Sequence, residues 1–200
     1  YVAAVSRFIS IGKPEGETVV IHPLDSAYCE YTCFADSKIT GLQPSRADLA
    51  KRDANFLAMT TGLSLSGCIF DYGDERSIER DGSVDSGLFR IGKMAYDTVV
   101  LPELIEIQKS TLDMIRAFAE QGGRVIVLGN APTMLDGVEC SRNLLADIEN
   151  VIYVDELCQL VGLIKTEKYS IFCEEESRNI MVRRRVDGND AYYYLFNADG

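Results

Sequence analysis

The stretch Thr98-Val99-Val100-Leu101 is a continuous run of strand-forming residues, and Pro102-Glu103 follow it directly. An apolar run that ends at a turn signal is typical of a strand buried on both faces of a sheet. The stretch therefore predicts a central strand of a parallel sheet.

A helix and a second strand follow this run. Gly122-Gly123 end the helix, and Arg124 to Leu128 form the next apolar run. Parallel pairing is expected because the connection passes through a helix rather than a tight hairpin. The helix has Ser110 and Asp113 as candidate caps and an inward face of Leu112, Ile115, Phe118 and Ala119.

The same alternation continues along the chain and predicts an α/β fold: a three-layer, doubly wound, mostly parallel flavodoxin-like sheet. A long loop through Asp36 and Gly41 and a turn-rich segment from Arg80 to Gly92, with a short strand at 88–91, interrupt it. The further strands are Thr18 to Ile21, Cys68 to Asp71 and Val151 to Val154. The further helices are one from Ser45 with Leu49, Phe56 and Leu57 inward and a stop at Gly62, one from Ser141 with Leu144, Leu145 and Ile148 inward, and one capped by Asp155 with Leu157, Leu160, Val161 and Ile164 inward.

Both ends of the chain differ from this pattern. Residues 1–17 contain an amphipathic helix that closes at Gly12, and we expect it to come from a preceding domain. Residues 18–165 form the α/β domain. Residues 166–200 hold three strand-like runs, predicted to open an antiparallel, β-sandwich-like domain: Tyr169 to Cys173, Ile180 to Val186 and Ala191 to Phe196. Because the sequence opens on Tyr1 rather than Met, we expect a piece of a longer protein.

Composition excludes several partners. The 200 residues include 20 Lys and Arg against 31 Asp and Glu, a net charge of −11 that disfavours nucleic acid and anionic membranes. No apolar run is long enough for a membrane span. The six cysteines are interpreted as reduced, buried thiols, which favours the cytoplasm over the periplasm while leaving the compartment open. No metal is expected, because Cys29 and Cys33 have only His22 nearby to complete a zinc site.

Ligands of open α/β sheets bind beyond the carboxyl ends of the strands. His22 there could act as a general base or simply hydrogen-bond a neighbouring loop. Asp71, Asp74 and Glu75 could supply a glycosidase-type carboxylate pair, but residues so close in one loop favour a turn or a helix cap. The candidate rim or ligand-binding residues are therefore His22, Asp25, Asp71, Asp74, Glu75, Glu103 and Asn130.

Standard cofactor motifs are absent, so no cofactor is expected. The sequence has neither a G-x-G-x-x-G motif nor a P-loop. A magnesium-dependent phospho-acceptor site needs a carboxylate directly after the first and third strands and a lysine after the last, whereas this chain has His22-Pro23, Pro102-Glu103 and Asp155 there.

The segment Tyr96 to Pro102, together with Gly122 to Ile126 and Gly129-Asn130-Ala131-Pro132, resembles the class I glutamine amidotransferase-like accessory domain of large bacterial glycoside hydrolases. Such domains follow the TIM barrel in β-galactosidases of the trimerisation-domain type and occur in α-L-rhamnosidase-like enzymes. The acidic loop Phe70 to Glu75 and the closing Tyr193 to Asn197 agree with this resemblance.

The resemblance implies that this chain lacks the catalytic residues of both amidotransferases and glycoside hydrolases. Amidotransferases place a cysteine on the elbow after a central strand and a histidine downstream, but this chain has Pro102-Glu103 there and no histidine after His22. In the glycoside hydrolases the catalytic carboxylates belong to the barrel, so no catalytic residue is carried over. The implied partners are a preceding TIM barrel, a following β-sandwich, a carbohydrate and a second copy of the chain.

Three hypotheses follow. The leading one is a non-catalytic accessory domain of a glycoside hydrolase, acting in domain packing, oligomerisation or shaping of the substrate entrance. The alternative is a sugar-binding module at the strand-end loops. The third is a free-standing enzyme that uses Asp74 and Glu103 as acid and base.

Overall fold

The computed structural model describes residues 2–30, 46–164 and 180–197. Helices lie between groups of strands along this length. The helices are α1 (Val2–Ile9), α2 (Leu24–Glu30), α3 (Arg46–Leu65), α4 (Glu75–Asp81), α5 (Lys109–Glu120) and α6 (Leu157–Ile164). The strands are β1 (Lys13–Pro14), β2 (Thr18–Ile21), β3 (Phe70–Gly73), β4 (Gly82–Asp85), β5 (Leu88–Ile91), β6 (Met94–Tyr96), β7 (Thr98–Leu101), β8 (Glu106–Ile107), β9 (Arg124–Leu128), β10 (Met134–Leu135), β11 (Val138–Glu139), β12 (Val151–Val154), β13 (Ile180–Asp187) and β14 (Asp190–Asn197).

A five-stranded parallel sheet forms the centre, with the strand order β12-β9-β7-β2-β3. Counted along the chain this is the order 2-1-3-4-5, the doubly wound arrangement of flavodoxin-like proteins. The predicted fold class is therefore confirmed. The strand order reverses between β2 and β7, so the two connections that leave these strands diverge at that edge.

All four residues of β2 and of β7 are buried, because a helical layer covers each face of the sheet. Alternate strand residues face opposite layers. Val19, Val99 and Val125 belong to the core with α5, whereas Val20, Val100 and Ile126 pack with α3 and α6. The predicted inward face of α5 is confirmed, since Leu112, Ile115, Phe118 and Ala119 are all buried.

Three segments around the sheet differ from the sequence prediction. The second strand is Phe70–Gly73 rather than 68–71, because Cys68 still belongs to the turn that follows α3. Helix α2 occupies part of the predicted loop. Between Arg80 and Gly92 the chain completes α4 and enters the antiparallel meander β4-β5-β6, of which only the strand at 88–91 was predicted.

Helix boundaries also differ. Helix α3 does not stop at Gly62 but continues to Leu65. The glycine allows Leu157 to approach the helix closely, since a Cβ at position 62 would lie 2.3 Å from Leu157 Cδ2. Leu57 is exposed rather than inward. The segment after Ser141 forms turns instead of a helix, although Leu144, Leu145 and Ile148 are buried as predicted.

Two predicted helix starts are wrong in detail. Helix α5 begins at Lys109 after Gln108, and its first N–H groups are bound by distant carboxylates rather than by Ser110 or Asp113. At α6, the side chain of Gln159 accepts from the N–H groups of Asp155 and Glu156. The predicted cap Ser45 lies outside the described residues.

The terminal segments form a separate three-stranded antiparallel sheet in the order β1-β13-β14. This confirms the last two of the three predicted tail strands, and the run from Tyr169 to Cys173 lies outside the described residues. Phe8 of α1 packs against Tyr194, with ring centroids 5.4 Å apart. None of the described helices has the length and apolar character that a membrane span needs.

The four cysteines that the structure describes are not uniformly buried. Cys68 is buried, Cys140 is partly buried, and Cys29 and Cys158 are exposed. The expectation of buried thiols is therefore wrong for Cys29 and Cys158, which lie on outward faces of their helices, while Cys33 and Cys173 lie outside the described residues.

Candidate functional site

Three carboxylates meet at the carboxyl edge of the parallel sheet, where the strand order reverses. Asp25 lies in the first turn of α2 after β2, Glu75 is the first residue of α4 after β3, and Glu106 lies in β8 after β7. One oxygen of each carboxylate lies within 4.8 Å of those of the other two. The fold thus gathers residues that are far apart in sequence into one acidic cluster, Asp25, Glu75 and Glu106.

Neighbouring polar groups fix the geometry of the acidic cluster. The Ser26 hydroxyl accepts from the backbone N–H groups of Ile105 and Glu106, both at 3.1 Å, and donates to the Glu106 carbonyl. Gln108 donates from its backbone N–H to Glu75 Oε2 at 2.9 Å and from its side-chain amide to Asp25. These bonds hold α2, the start of α4 and β8 together.

Burial makes this cluster electrostatically costly. Glu75 and Glu106 are each only 3% exposed. Desolvation raises the pKa of Glu75 to about 7 against the opposing bond from Gln108, and it also raises the pKa of Glu106. Among the described residues, no lysine or arginine forms an ion pair with any of the three carboxylates.

Two adjoining clefts lie farther along the same edge, and both are lined by Arg52 and Glu103. The first has a volume of about 310 Å³ and is also lined by Asn55 and Phe56, and the second has a volume of about 490 Å³ and includes Asn130. Glu103 accepts from Arg52 Nη1 at 3.4 Å and from Asn55 Nδ2 at 3.0 Å. The clefts therefore present charged and amide groups beside apolar walls, the composition of a small-ligand site.

The seven predicted site residues do not form one site. Asp25 and Glu75 lie in the acidic cluster, whereas Glu103 and Asn130 line the clefts. His22 packs against Phe56 and Tyr72, with ring centroids 5.2 and 6.0 Å apart.

The remaining two predicted residues have structural roles. Asp74 is the N-cap of α4 and accepts from Ser77 N at 2.9 Å, so the simpler interpretation as a helix cap is the correct one. Asp71 was expected after its strand, but it lies within β3 opposite Val19. Its carboxylate accepts from the Tyr96 hydroxyl at 3.1 Å and lies near Gly16, at the opposite edge of the sheet.

Sequence reasoning missed Glu106, Gln108 and Arg52. Glu106 is the only charged residue in the run Leu104 to Ile107, and a lone carboxylate in an apolar run signals a buried acid. Arg52 and Gln108 have no comparable signal, since each is one polar residue among many on a helix or before one.

Comparison with known proteins gives structural likeness only. No protein-family profile and no curated protein sequence matches the chain. The crystal structure of an apo exo-carrageenase GH42 from Bacteroides ovatus is similar over 98% of this chain, with a TM-score of 0.56 and 14% identity. A rhamnosidase from Novosphingobium sp. PP1Y matches over 64% of this chain, with a TM-score of 0.44 and 17% identity, and this chain covers 14% of it. The chain spans 24% of the exo-carrageenase chain, and that likeness establishes a shared fold.

Proposed function

We propose that this chain is a non-catalytic accessory domain of a multidomain glycoside hydrolase, acting chiefly in packing against neighbouring domains. The observation that carries the proposal is coverage: nearly the whole chain, 98%, corresponds to a 24% portion of an exo-carrageenase chain. A fold that recurs as one part of a hydrolase several times longer is expected to support the catalytic part.

The carboxylates of the chain are poorly suited to hydrolysis. A glycosidase holds the sugar between two accessible carboxyl groups. Glu75 and Glu106 are each only 3% exposed, and the side chain of Asp74 caps helix α4. Glu103 is accessible but is bound by Arg52 and Asn55. This argues against the free-standing enzyme that would use Asp74 and Glu103.

Exposed apolar groups at both ends support a packing role. None of the residues of α1 is buried, and Val2 and Ile9 are 75% and 58% exposed. Strand β14 exposes Tyr193, Leu195 and Phe196, and it is the last strand of its sheet among the described residues. A long apolar edge strand normally pairs or is covered. These exposed groups support our proposal that a preceding domain packs against residues 1–17 and a following β-rich domain against residues 166–200, on either side of the α/β unit 18–165.

Hydrolysis of a panel of chromogenic aryl glycosides tests the proposal. The chain alone is expected to be silent, whereas the longer protein that carries it is expected to turn over at least one glycoside. Turnover by the chain alone, or a longer protein that is inactive on the aryl glycosides and on carrageenan, contradicts the proposal.

The clefts favour one alternative, a sugar-binding module. Arg52, Asn55 and Asn130 supply the donors and acceptors that a sugar hydroxyl recognises. Calorimetry against simple sugars should then give saturable heat that Asn130→Ala and Asn55→Ala reduce, with Asn189→Ala as the matched control because Asn189 is exposed outside both clefts. Absence of heat, or equal heats in all three variants, removes this alternative.

A further inference from the structure

The acidic cluster Asp25, Glu75 and Glu106 serves no step of the proposed function. It lies where the connections from β2 and β7 diverge, the position at which open α/β sheets bind ligands. Neither cleft includes any of its three carboxylates. Its role has to be sought in the cluster itself.

Glu106 has a buried carboxylate oxygen without a hydrogen-bond partner, which is a second observation besides the proximity of the three acids. Its Oε2 atom is fully buried and has no hydrogen-bond partner, and the residue as a whole is only 3% exposed. A buried carboxylate oxygen without a hydrogen-bond partner is unfavourable, and a water or an ion bound there would remove that cost. The described residues supply no cationic side chain to fill that role.

We propose that Asp25, Glu75 and Glu106 bind a hard divalent cation, Ca²⁺ or Mg²⁺. Carboxylate oxygens are the ligands that both ions prefer. Oxygens on opposite sides of Ca²⁺ lie about 5 Å apart and those around Mg²⁺ lie about 3–4 Å apart, so donor atoms within 4.8 Å of one another can reach either ion after small shifts.

The neighbouring contacts suit such a site. Gln108 anchors Asp25 and Glu75 from the side, and Ser26 anchors the backbone of Glu106, so the ligands are held by a second set of bonds. Asp25 is only partly buried, so the cluster meets solvent at this residue. The bound cation joins α2, α4 and β8 at the reversal of strand order. The expectation of no metal considered cysteine and histidine ligands and a magnesium site with carboxylates directly after the first and third strands, and it did not bring these three acids together.

Titration calorimetry with CaCl₂ or MgCl₂ tests the site, on protein freed of metal with EDTA and kept in about 0.15 M KCl to screen diffuse charge. We expect saturable binding by one ion per chain below about 1 mM in at least one salt. Thermal unfolding should shift upward by about 5–10 °C when that cation exceeds its Kd a hundredfold.

Three variants separate the cluster from general acidity. Glu106→Gln and Glu75→Gln should each weaken affinity tenfold or more, because each removes one ligand charge. Glu79→Gln should leave affinity unchanged, since Glu79 is exposed on α4 outside the cluster. Circular dichroism confirms folding of each variant, and Gln at 106 or 75 removes buried charge and so should not unfold the chain.

Two outcomes overturn the proposal. One is the absence of saturable heat up to about 10 mM of both salts. The other is binding that Glu106→Gln and Glu75→Gln leave unchanged, which means that the ion binds elsewhere. A cluster that is stabilised by both Gln variants and is indifferent to both salts holds a shared proton instead.

Discussion

Glu75 shows how one residue combines two opposing electrostatic effects. It opens helix α4, where the N-terminal end of the helix favours a carboxylate. It is also buried beside Glu106 and Asp25, which disfavours the charged form. Desolvation is the larger effect, and the pKa is raised to about 7. The acidic side chain is therefore near the midpoint of its titration at neutral pH when no cation is bound.

The metal-free protein should lose stability as pH rises. Because the pKa of Glu75 is about 7 in the folded state and 4.5 in its unperturbed state, its stabilising contribution is complete below pH 4.5 and is lost as pH rises through 7. Between pH 5 and pH 8 this loss is on the order of 2–3 kcal/mol. Urea unfolding in EDTA measures it as the difference between wild type and Glu75→Gln.

The variant comparison isolates Glu75 from other titrating groups. Glu75→Gln should gain stability relative to wild type as pH rises from 5 to 8, whereas Glu79→Gln should show no such trend. A difference between wild type and Glu75→Gln that is constant with pH would show that Glu75 keeps an ordinary pKa.

Gly12 illustrates a residue whose absence of a side chain is required. It ends the α1 segment with φ +45, and a Cβ there would lie 1.9 Å from the Val186 carbonyl oxygen. Gly12→Ala should therefore destabilise the protein by about 1–3 kcal/mol, through backbone strain and a clash with β13.

Gly67→Ala is the matched control for this change. Gly67 also has a positive φ, +76, but nothing lies within 4 Å of its virtual Cβ. Chemical unfolding of both variants separates the clash from the strain. Equal losses at the two positions would mean that β13 moves away from Gly12 at little cost.

At the scale of an element, helix α5 depends on both local and distant residues. Its apolar face is determined by spacing along the sequence, and that face is buried as a set. Its start is determined by tertiary contacts, because Glu75 accepts from Gln108 N and Asp136 accepts from Lys109 N. The burial of the helix was predictable from sequence, and its first residue was not.

Phe118 tests how much the inward face of α5 contributes. Its ring is fully buried and packs edge-on against Phe89, with centroids 5.6 Å apart. Phe118→Ala should cost about 3–5 kcal/mol in urea unfolding, from lost burial and a cavity. Leu57→Ala on α3 is the control, since Leu57 is 63% exposed and should cost less than about 1 kcal/mol. Similar losses in both variants would place Phe118 outside the cooperative core.

Features that depend on adjacent residues could be predicted from the sequence, whereas features that depend on contacts between residues distant in sequence could not. The apolar runs at Thr18 to Ile21 and Thr98 to Leu101 predicted central strands, because a strand buried on both faces needs apolar residues at every position. The meander β4-β5-β6 has mixed burial and gave only one predicted strand. Two of the three cluster acids, Asp25 and Glu75, were among the seven candidates that the sequence offered at strand ends, but it did not predict that they meet. Their partner Glu106 joins them only through the fold.

At the scale of the whole molecule, two kinds of surface stand out. The α/β unit covers its own sheet with helices on both faces, so its core is complete. The sheet β1-β13-β14 is different, because most residues of β14 are exposed, including three aromatic side chains. This difference is the reason why we propose interdomain packing for the sheet β1-β13-β14 and not for the α/β unit.

Leu195 distinguishes these roles. It pairs across the strands with the buried Val182 and is itself 51% exposed. In the chain alone, Leu195→Asp should cost less than about 1 kcal/mol, because the side chain already meets solvent. In the longer protein, where we place a β-rich domain over β14, a buried and unpaired carboxylate should cost several times more. Thermal unfolding and limited proteolysis of both forms measure this contrast. Leu57→Asp, on an exposed surface of α3, should have the same small effect in both forms, and equal losses for Leu195→Asp in the two forms would show that nothing covers this strand.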